Sequence, residues 1–413
     1  MKRYFSCLLA LSALLLMAGC KKSLDSSVDL SQKAKAGFAV DLLWQLPGPY
    51  TRLIRYDIGD GYGSDCIFAF DLGNGKVSLN QITGTSSTQI YANTGIPTTN
   101  AGTISVTTDN TDITDNFNEI GGVHIIPFDY SGTGHEDHLL VYIPGHGIFY
   151  VLAYAGNGKW TQLFGGTAGI GGYDLMATHD KIIAYDYGSS GYRKDLICYR
   201  PGKGIFYALQ NTENAGDPFI PVVESSNGVG GYDLEGPSDQ LVEEEGGLVA
   251  YRPGYGYVYS MTHAANSTSW QTGNITRSGW QNFPLSHEQD RMIPFAVVYG
   301  YYGSSYNQDA PGIWYSPGNH FSSSDWVYYW VYDPAGGYVV GNFQVELLNW
   351  PFDYNPYSTG NTTNTGDHVL RFSAGYQTSN TTIPNAMLMY TNGAVQSQLY
   401  EGIGGETSYP EVY

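Results

Sequence analysis

Gly169–Asn211 reads GIGGYDLMATHDKIIAYDYGSSGYRKDLICYRPGKGIFYALQN, and this stretch returns along the chain in altered form. Its punctuation is regular. Gly171-Gly172 is followed by the run Lys181–Tyr185, a Gly/Ser turn at Gly188–Gly191, the run Leu196–Tyr199, a Pro201-Gly202 turn and the run Ile205–Leu209. Short β-branched and aromatic runs between turn residues predict strands of an antiparallel meander. The runs leave no room for a helix of ordinary length.

The aspartate that opens the polar turn sets the register. Asp129 opens DYSGTGHEDHLLVYIPGHGIFYVL and Asp186 opens DYGSSGYRKDLICYRPGKGIFYAL, with Pro144-Gly145 falling on Pro201-Gly202 at the same offset. A third copy keeps Gly228–Leu234 and Tyr251–Tyr259, its polar turn reduced to Glu243–Glu245. Asp290 leads a fourth copy to Pro317-Gly318. Asp367–Phe372, read against Asp137–Tyr142, makes a fifth and places His368 on His138. Leu53–Gly61 with Asp65–Phe68 makes a sixth near the start.

A period of roughly 40–60 residues with several short strands per repeat is the pattern of a β-propeller, whose blades bury their faces against neighbours. The expectation is an all-β, six-bladed ring over 38–413. Seven blades is the alternative, because the long interval between Asp57 and Asp129 has room for a degenerate hairpin. The orphan Glu401–Gly405 suggests that the C-terminal strand completes the first blade and closes the ring.

Ahead of this body, Lys2 and Arg3 precede the apolar run Leu8–Met17, and Met17-Ala18-Gly19-Cys20 ends it. That layout is a secretory signal, and the run is shorter than the ~20 residues a membrane span needs. The segment resembles a bacterial lipoprotein signal, which implies removal of residues 1–19 and lipidation of Cys20. Lys21–Gly37 is Ser-, Lys- and Asp-rich and reads as a flexible tether. By resemblance to the sorting rule of some diderm bacteria, a residue other than aspartate after the cysteine implies the outer membrane.

Composition agrees with turn-rich, aromatic β structure: 53 Gly, 36 Tyr and only 14% charged residues. The formal charge of −19 repels nucleic acid and anionic headgroups and leaves cations, neutral sugars or basic proteins as partners. Of four cysteines, Cys7 leaves with the signal and Cys20 carries lipid. Cys66 and Cys198 sit at non-equivalent repeat positions, which predicts two buried free thiols.

Two groups of residues could carry chemistry. The loops Asp57–Asp65 and Asp129–Asp137 place oxygen-bearing residues or glycines at alternate positions and close on an aspartate. Asp57, Asp60 and Asp65, with Asp129, Ser131, Thr133 and Asp137, could converge on Ca²⁺. The other reading is a glycine-rich hairpin turn whose aspartates cap backbone N–H groups. At this point the chain resembles the FG-GAP/VCBS propeller repeats, whose blades often carry a calcium loop of the form D-x-D-x-D-G-x-x-D. Here the loops hold fewer carboxylates than that pattern.

Tryptophans form the second group. Strand aromatics ordinarily pack between blades, but Trp160, after Gly156-Asn157-Gly158-Lys159, and Trp270 and Trp280, in Ser/Thr/Asn/Gly contexts, are the ones to look for on loops, where they could stack on sugar rings. No G-x-S-x-G, H-E-x-x-H, C-x-x-C or phosphate-binding loop occurs. The expected function is a non-catalytic envelope binding module for a carbohydrate or a protein partner. A polysaccharide hydrolase or lyase would need paired carboxylates in a central funnel. A structural envelope subunit would need an exposed apolar patch.

Overall fold

The computed structural model describes residues 39–293, apart from 43–45, 49, 59–65, 84–85, 108–121, 215, 245–246, 280–284, 287 and 289, and beyond these the strands between Val297 and Glu401. After β1 (Ala39–Leu42), the strands β2 (Thr51–Tyr56), β3 (Cys66–Asp71), β4 (Lys76–Thr83) and β5 (Ser86–Thr94) form a four-stranded antiparallel meander. A small pair follows, β6 (Ile96–Pro97) with β7 (Thr103–Ile104), inside the long interval noted in the sequence.

The meander recurs as β8 (His124–Phe128), β9 (His138–Ile143), β10 (Ile148–Gly156) and β11 (Lys159–Gly166). It recurs as β12 (Lys181–Tyr185), β13 (Asp195–Arg200), β14 (Ile205–Asn211) and β15 (Phe219–Ser225), then as β16 (Gln240–Glu244), β17 (Gly247–Arg252), β18 (Tyr257–His263) and β19 (Trp270–Thr276). In the next sheet β20 (Arg291–Ile293), β23 (Ile313–Tyr315), β24 (Tyr328–Asp333) and β25 (Gly337–Gly341) pair in that order, and β21 (Val297–Tyr301) and β22 (Ser304–Gln308), which fall between β20 and β23 in sequence, form a separate two-stranded hairpin. The remaining sheet holds β26 (Asp367–Phe372), β27 (Ala386–Thr391) and β28 (Ser397–Glu401), with β1 as its fourth strand.

No helix occurs among the described residues. First strands of neighbouring sheets lie side by side: β26 by β2, β2 by β8, β8 by β12, and β12 by β16. Sheets standing around an axis on their first strands are the blades of a β-propeller. The core agrees, being a series of clusters between adjacent blades; one joins Tyr56, Phe68 and Leu79 to Ile125, Leu139 and Trp160. The next joins Phe128, Leu140 and Phe149 to Ile182, Leu196 and Leu209.

Two sequence expectations are corrected here. The ring closes the other way round: β1 pairs antiparallel with β28, Ala39 opposite Tyr400, so the N-terminal strand completes the last sheet. The first meander is already complete with β2 to β5. Second, Asp367–Phe372 is a first strand and not the counterpart of Asp137–Tyr142. His368 lies opposite Tyr390, as His124 lies opposite Tyr142, whereas His138 lies opposite Phe128 on a second strand.

The linker that opens the quoted stretch locks each blade to the one before. Gly169 (φ +85°) and Gly228 (φ +75°) occupy the left-handed region, and a Cβ there would stand 2.0 and 1.8 Å from the carbonyl oxygens of Tyr173 and Tyr232. Six residues on, Leu175, Leu234 and Leu285 also have positive φ, costly for a branched side chain. Their carbonyls offset that cost by accepting from the preceding blade's Pro-Gly turn: Leu175 from Gly145 and Gly147, Leu234 from Gly202 and Gly204, and Leu285 from Gly256. A tyrosine near the end of β9, β13 and β17 accepts a hydrogen bond across the same seam. The Ile182 N–H donates to Tyr142, the Leu241 N–H to Tyr199 and the Met292 N–H to Tyr251, at 3.1 to 3.2 Å.

Candidate functional site

Equivalent positions on the first strands build three tiers around the axis. In the middle, Ile54, Ile126, Ile183 and Val242 are half-buried and aliphatic. At the strand ends, Arg55 and Glu243 belong to the strands, while Glu136 and Arg193 reach in from polar loops. Pro127 and Ala184 hold the corresponding strand positions in the two intervening blades, and both side chains are short.

The four charges alternate across successive blades. Arg55 Nη1 lies 3.9 Å from Glu136 Oε2, Arg193 Nη1 3.3 Å from Glu136 Oε1, and Arg193 Nη2 2.5 Å from Glu243 Oε2. Burial works against the charge on Arg193, but Glu243 and then Glu136 more than offset it and raise its pKa. This ladder holds both carboxylates against guanidinium groups.

At the strand starts, on the opposite end, stand Arg52, His124, Lys181, Gln240 and Arg291. Each pairs across the sheet with an aromatic: Phe70, Tyr142, Tyr199, Tyr251 and Tyr315. Lys181 Nζ donates to Gln240 Oε1 at 2.9 Å, so neighbouring members of this row touch.

Just outside that row, two buried knots repeat in consecutive blades. Asp180 accepts from Arg200 Nε (2.6 Å) and Nη2 (2.8 Å), the Tyr173 hydroxyl (2.5 Å) and the Ala177 N–H (2.9 Å). Asp239 accepts from Arg252 Nε (2.7 Å) and Nη2 (2.8 Å), the Tyr232 hydroxyl (2.6 Å) and the Gly236 N–H (2.8 Å). Arg200 also bonds Asp174, and Arg252 bonds Asp233. Each guanidinium lies 5.6 Å from the centre of the adjacent tyrosine ring. Burial, and next the paired aspartate, push the Tyr173 and Tyr232 hydroxyls far above the ordinary phenol range, so both stay protonated donors.

The same end carries exposed tips on a repeated backbone frame. His146, Lys203 and Tyr255 occupy one position of the Pro-Gly-x-Gly turns, while Met176, Glu235 and Ser286 follow the three left-handed leucines. The frame is constant, held by the leucine carbonyls, and the side chains vary.

The tryptophans are elsewhere. Trp160 is fully buried, its Nε1 donating to the Tyr56 hydroxyl at 3.3 Å and its ring edge-on to Phe68, Tyr91 and Tyr154. The cause is alternation: the tight turn at Asn157-Gly158 starts β11 with Lys159 outward and therefore Trp160 inward. Trp270 holds the equivalent position on β19, its ring packed on His263, Tyr185 and Phe206. Neither is the loop platform expected from sequence. Trp280 lies outside the described residues.

In the second polar loop, Asp129 accepts from the Thr133 N–H (2.8 Å), the Gly134 N–H (2.6 Å) and the Thr133 hydroxyl (3.3 Å). Asp186 repeats this with Ser190 and Gly191. This is the hairpin-turn reading of the loop. Ser131 is exposed, and Asp137 Oδ1 lies 2.5 Å from His138 Nδ1. Asp57 Oδ2 lies 2.7 Å from His135 Nδ1, joining the first two polar loops. Asp60 and Asp65 fall outside the described residues. Among the described residues no group of three or more His, Cys, Asp or Glu is placed to hold a metal ion. Cys66 and Cys198 are buried free thiols on different blades.

No family model matches the chain, and no curated protein matches its sequence. Among solved structures, it is similar to the periplasmic gluconolactonase PpgL of Pseudomonas aeruginosa, at 13% identity over 55% of each chain and a TM-score of 0.33. It is similar also to a protein from Lactobacillus plantarum, at 9% identity, 85% of this chain, 80% of that one and a TM-score of 0.39. The chain spans only about half the length of the gluconolactonase. Likeness at these scores carries no activity across. The sheets and tiers themselves define an all-β propeller with a layered, charged axial face.

Proposed function

We propose that this chain is a cell-envelope lipoprotein, lipidated at Cys20 and anchored in the outer membrane, whose body is a six-bladed propeller acting as a non-catalytic binding module. On this reading each four-stranded sheet among the described residues is one blade. The chain keeps the reading of a repeat related to the FG-GAP/VCBS class. Its ligand is a carbohydrate or a protein partner, engaged by the end that carries the Pro-Gly-x-Gly tips.

The observation that supports this reading is the constancy of that end's frame against the variety of its tips. Leucine-carbonyl locks hold the turns of three successive blades, yet the exposed positions are His146, Lys203 and Tyr255. A rigid scaffold presenting varied side chains loses little ordering entropy on binding. With Trp160 buried and Trp270 half-buried against the core, imidazole, ammonium and phenol groups suit a protein surface better than a sugar-stacking floor.

Affinity capture from the envelope fraction, with the full-length chain as bait, tests it. The reading expects a partner that is lost when His146, Lys203 and Tyr255 are all replaced by alanine. A glycan-array screen with the same two proteins reports the carbohydrate form. Identical capture and identical array patterns from both proteins would overturn the assignment of that end. Radiolabelled fatty acid should mark the wild-type chain and not Cys20→Ala.

A further inference from the structure

We infer that the outer edge of β19 is a second interaction surface, which takes an extended, uncharged segment of a partner protein as a parallel fifth strand of its blade. This goes beyond the binding reading above, because the surface lies on the outermost strand of a blade and not at the tips. The occupant is argued from two blades earlier, where such a segment is already in place. Thr98, Thr99 and Asn100 run parallel to β11 on its free side. The Thr99 N–H donates to the Trp160 carbonyl at 2.8 Å, the Gln162 N–H to Asn100 Oδ1 at 3.0 Å, and Asn100 Nδ2 back to the Gln162 carbonyl at 2.9 Å. The Thr99 and Thr161 hydroxyls meet at 3.0 Å. Residues 98–103 carry no charge.

The other outer strands show how an edge is closed. Gln162 lies opposite Leu152 just before a β-bulge, and the same register places Gln89 on β5, Pro221 on β15 and Thr272 on β19. On β11 the Gln162 N–H is the outward donor that Asn100 satisfies. On β15 a proline stands there with no N–H to offer, which bars a further strand. On β5 the adjacent Ile90 and Tyr91 are half-buried against the core. β19 has none of these protections. By register the Thr272 N–H and the Trp270 and Thr272 carbonyls point away from β18, and residues 271–275 are all exposed, Ile275 at 52%. The strand, WQTGNIT, holds neither charge nor proline, and among the described residues no strand pairs with its free side. The edge is also held in place, since the Thr272 hydroxyl donates to the Gly230 carbonyl of the linker that opens the blade. A fixed, open edge captures an extended segment through main-chain hydrogen bonds. The formal charge of −19 favours a segment free of acids, as residues 98–103 are.

A rhodamine-labelled peptide with the sequence of residues 96–104, IPTTNAGTI, is the probe. Titration with the full-length protein should raise its polarisation, and added peptide should slow hydrogen–deuterium exchange in residues 270–276 of the wild type. Thr272→Pro copies the block at Pro221 and should weaken binding about tenfold or more, while Thr272→Ala, which keeps the N–H, should stay within about twofold of wild type. Thr99→Pro in the peptide removes the donor to the strand carbonyl and should also weaken binding about tenfold or more. That arm and the exchange measurement need no protein variant, so they decide the matter if Thr272→Pro fails to fold. No rise in polarisation, no protection in residues 270–276, or equal binding by Thr272→Pro and Thr272→Ala overturns the site. Sedimentation of the protein alone tests the other occupant: a dimer that Thr272→Pro dissociates would put a second copy on the edge and overturn the partner segment. Partner capture that still depends on the tip residues would then leave the binding module standing and remove only the edge site.

Discussion

Asp180 shows what one side chain can hold. It is almost wholly buried, and its two oxygens accept four donors from a guanidinium, a phenol and a backbone N–H. Asp180→Ala leaves Arg200 with only the exposed Asp174 as counter-charge and orphans the buried Tyr173 hydroxyl, and should cost about 1–3 kcal/mol in denaturant unfolding. Trp160→Ala should likewise cost about 3–5 kcal/mol, because it empties a core site and not a ligand platform. His135 supplies a pH effect. Its hydrogen bond to Asp57, ahead of the opposing effect of burial, raises its pKa above the usual value. The added stability is complete below the unfolded imidazole pKa of about 6.5 and is lost as pH rises through the higher folded value. Unfolding midpoints of wild type and His135→Gln should therefore differ more at about pH 6 than at about pH 8.5. Equal differences at the two pH values would count against the pair. The roles of Asp180 and Trp160 were hard to read from sequence. A lone buried aspartate looks like any loop acid, and Trp160 follows a polar turn whose flip in alternation shows only once the strand is placed.

At the scale of the element, the Gly-x-Gly-Gly-Tyr-Asp-Leu linker joins one blade to the next. Gly169→Ala drives a methyl into the Tyr173 carbonyl, whereas a Cβ at Gly156 (φ +81°) meets nothing within 4 Å. Gly156→Ala should cost only the left-handed penalty of about 1–2 kcal/mol. Gly169→Ala should cost clearly more, as read by thermal unfolding of the two variants side by side. The strands were legible because turn residues bracket every β-branched run and the Asp129 and Asp186 copies share one offset. The row at the first-strand starts was not, since Arg52, His124, Lys181, Gln240 and Arg291 are of four types and stand at unequal intervals, so only register makes them equivalent.

For the whole molecule, repetition made the propeller legible while leaving the direction of closure open. The orphan Glu401–Gly405 pointed to a seam at the right end of the chain. Which terminus lends the fourth strand depends on a pairing between distant residues that no local pattern records. Deleting Ala39–Leu42 would strip β28 of its partner and expose a strand edge. Such a truncation should aggregate on concentration and be nicked by protease within the last sheet before the middle blades, as peptide mapping would show. Cleavage spread evenly over all sheets would argue that β1 contributes nothing to closure.

Because β1 leaves the ribosome long before β28, the seam between them cannot form until the chain has been made as far as Glu401. During synthesis the last sheet has no fourth strand, and each of the middle blades has only the one behind it to dock against, through a leucine carbonyl and a tyrosine hydroxyl. The protein is thus a queue until its final strand arrives and only then a ring. A stalled or slowly made chain would present an open edge to chaperones and proteases for as long as the wait lasts.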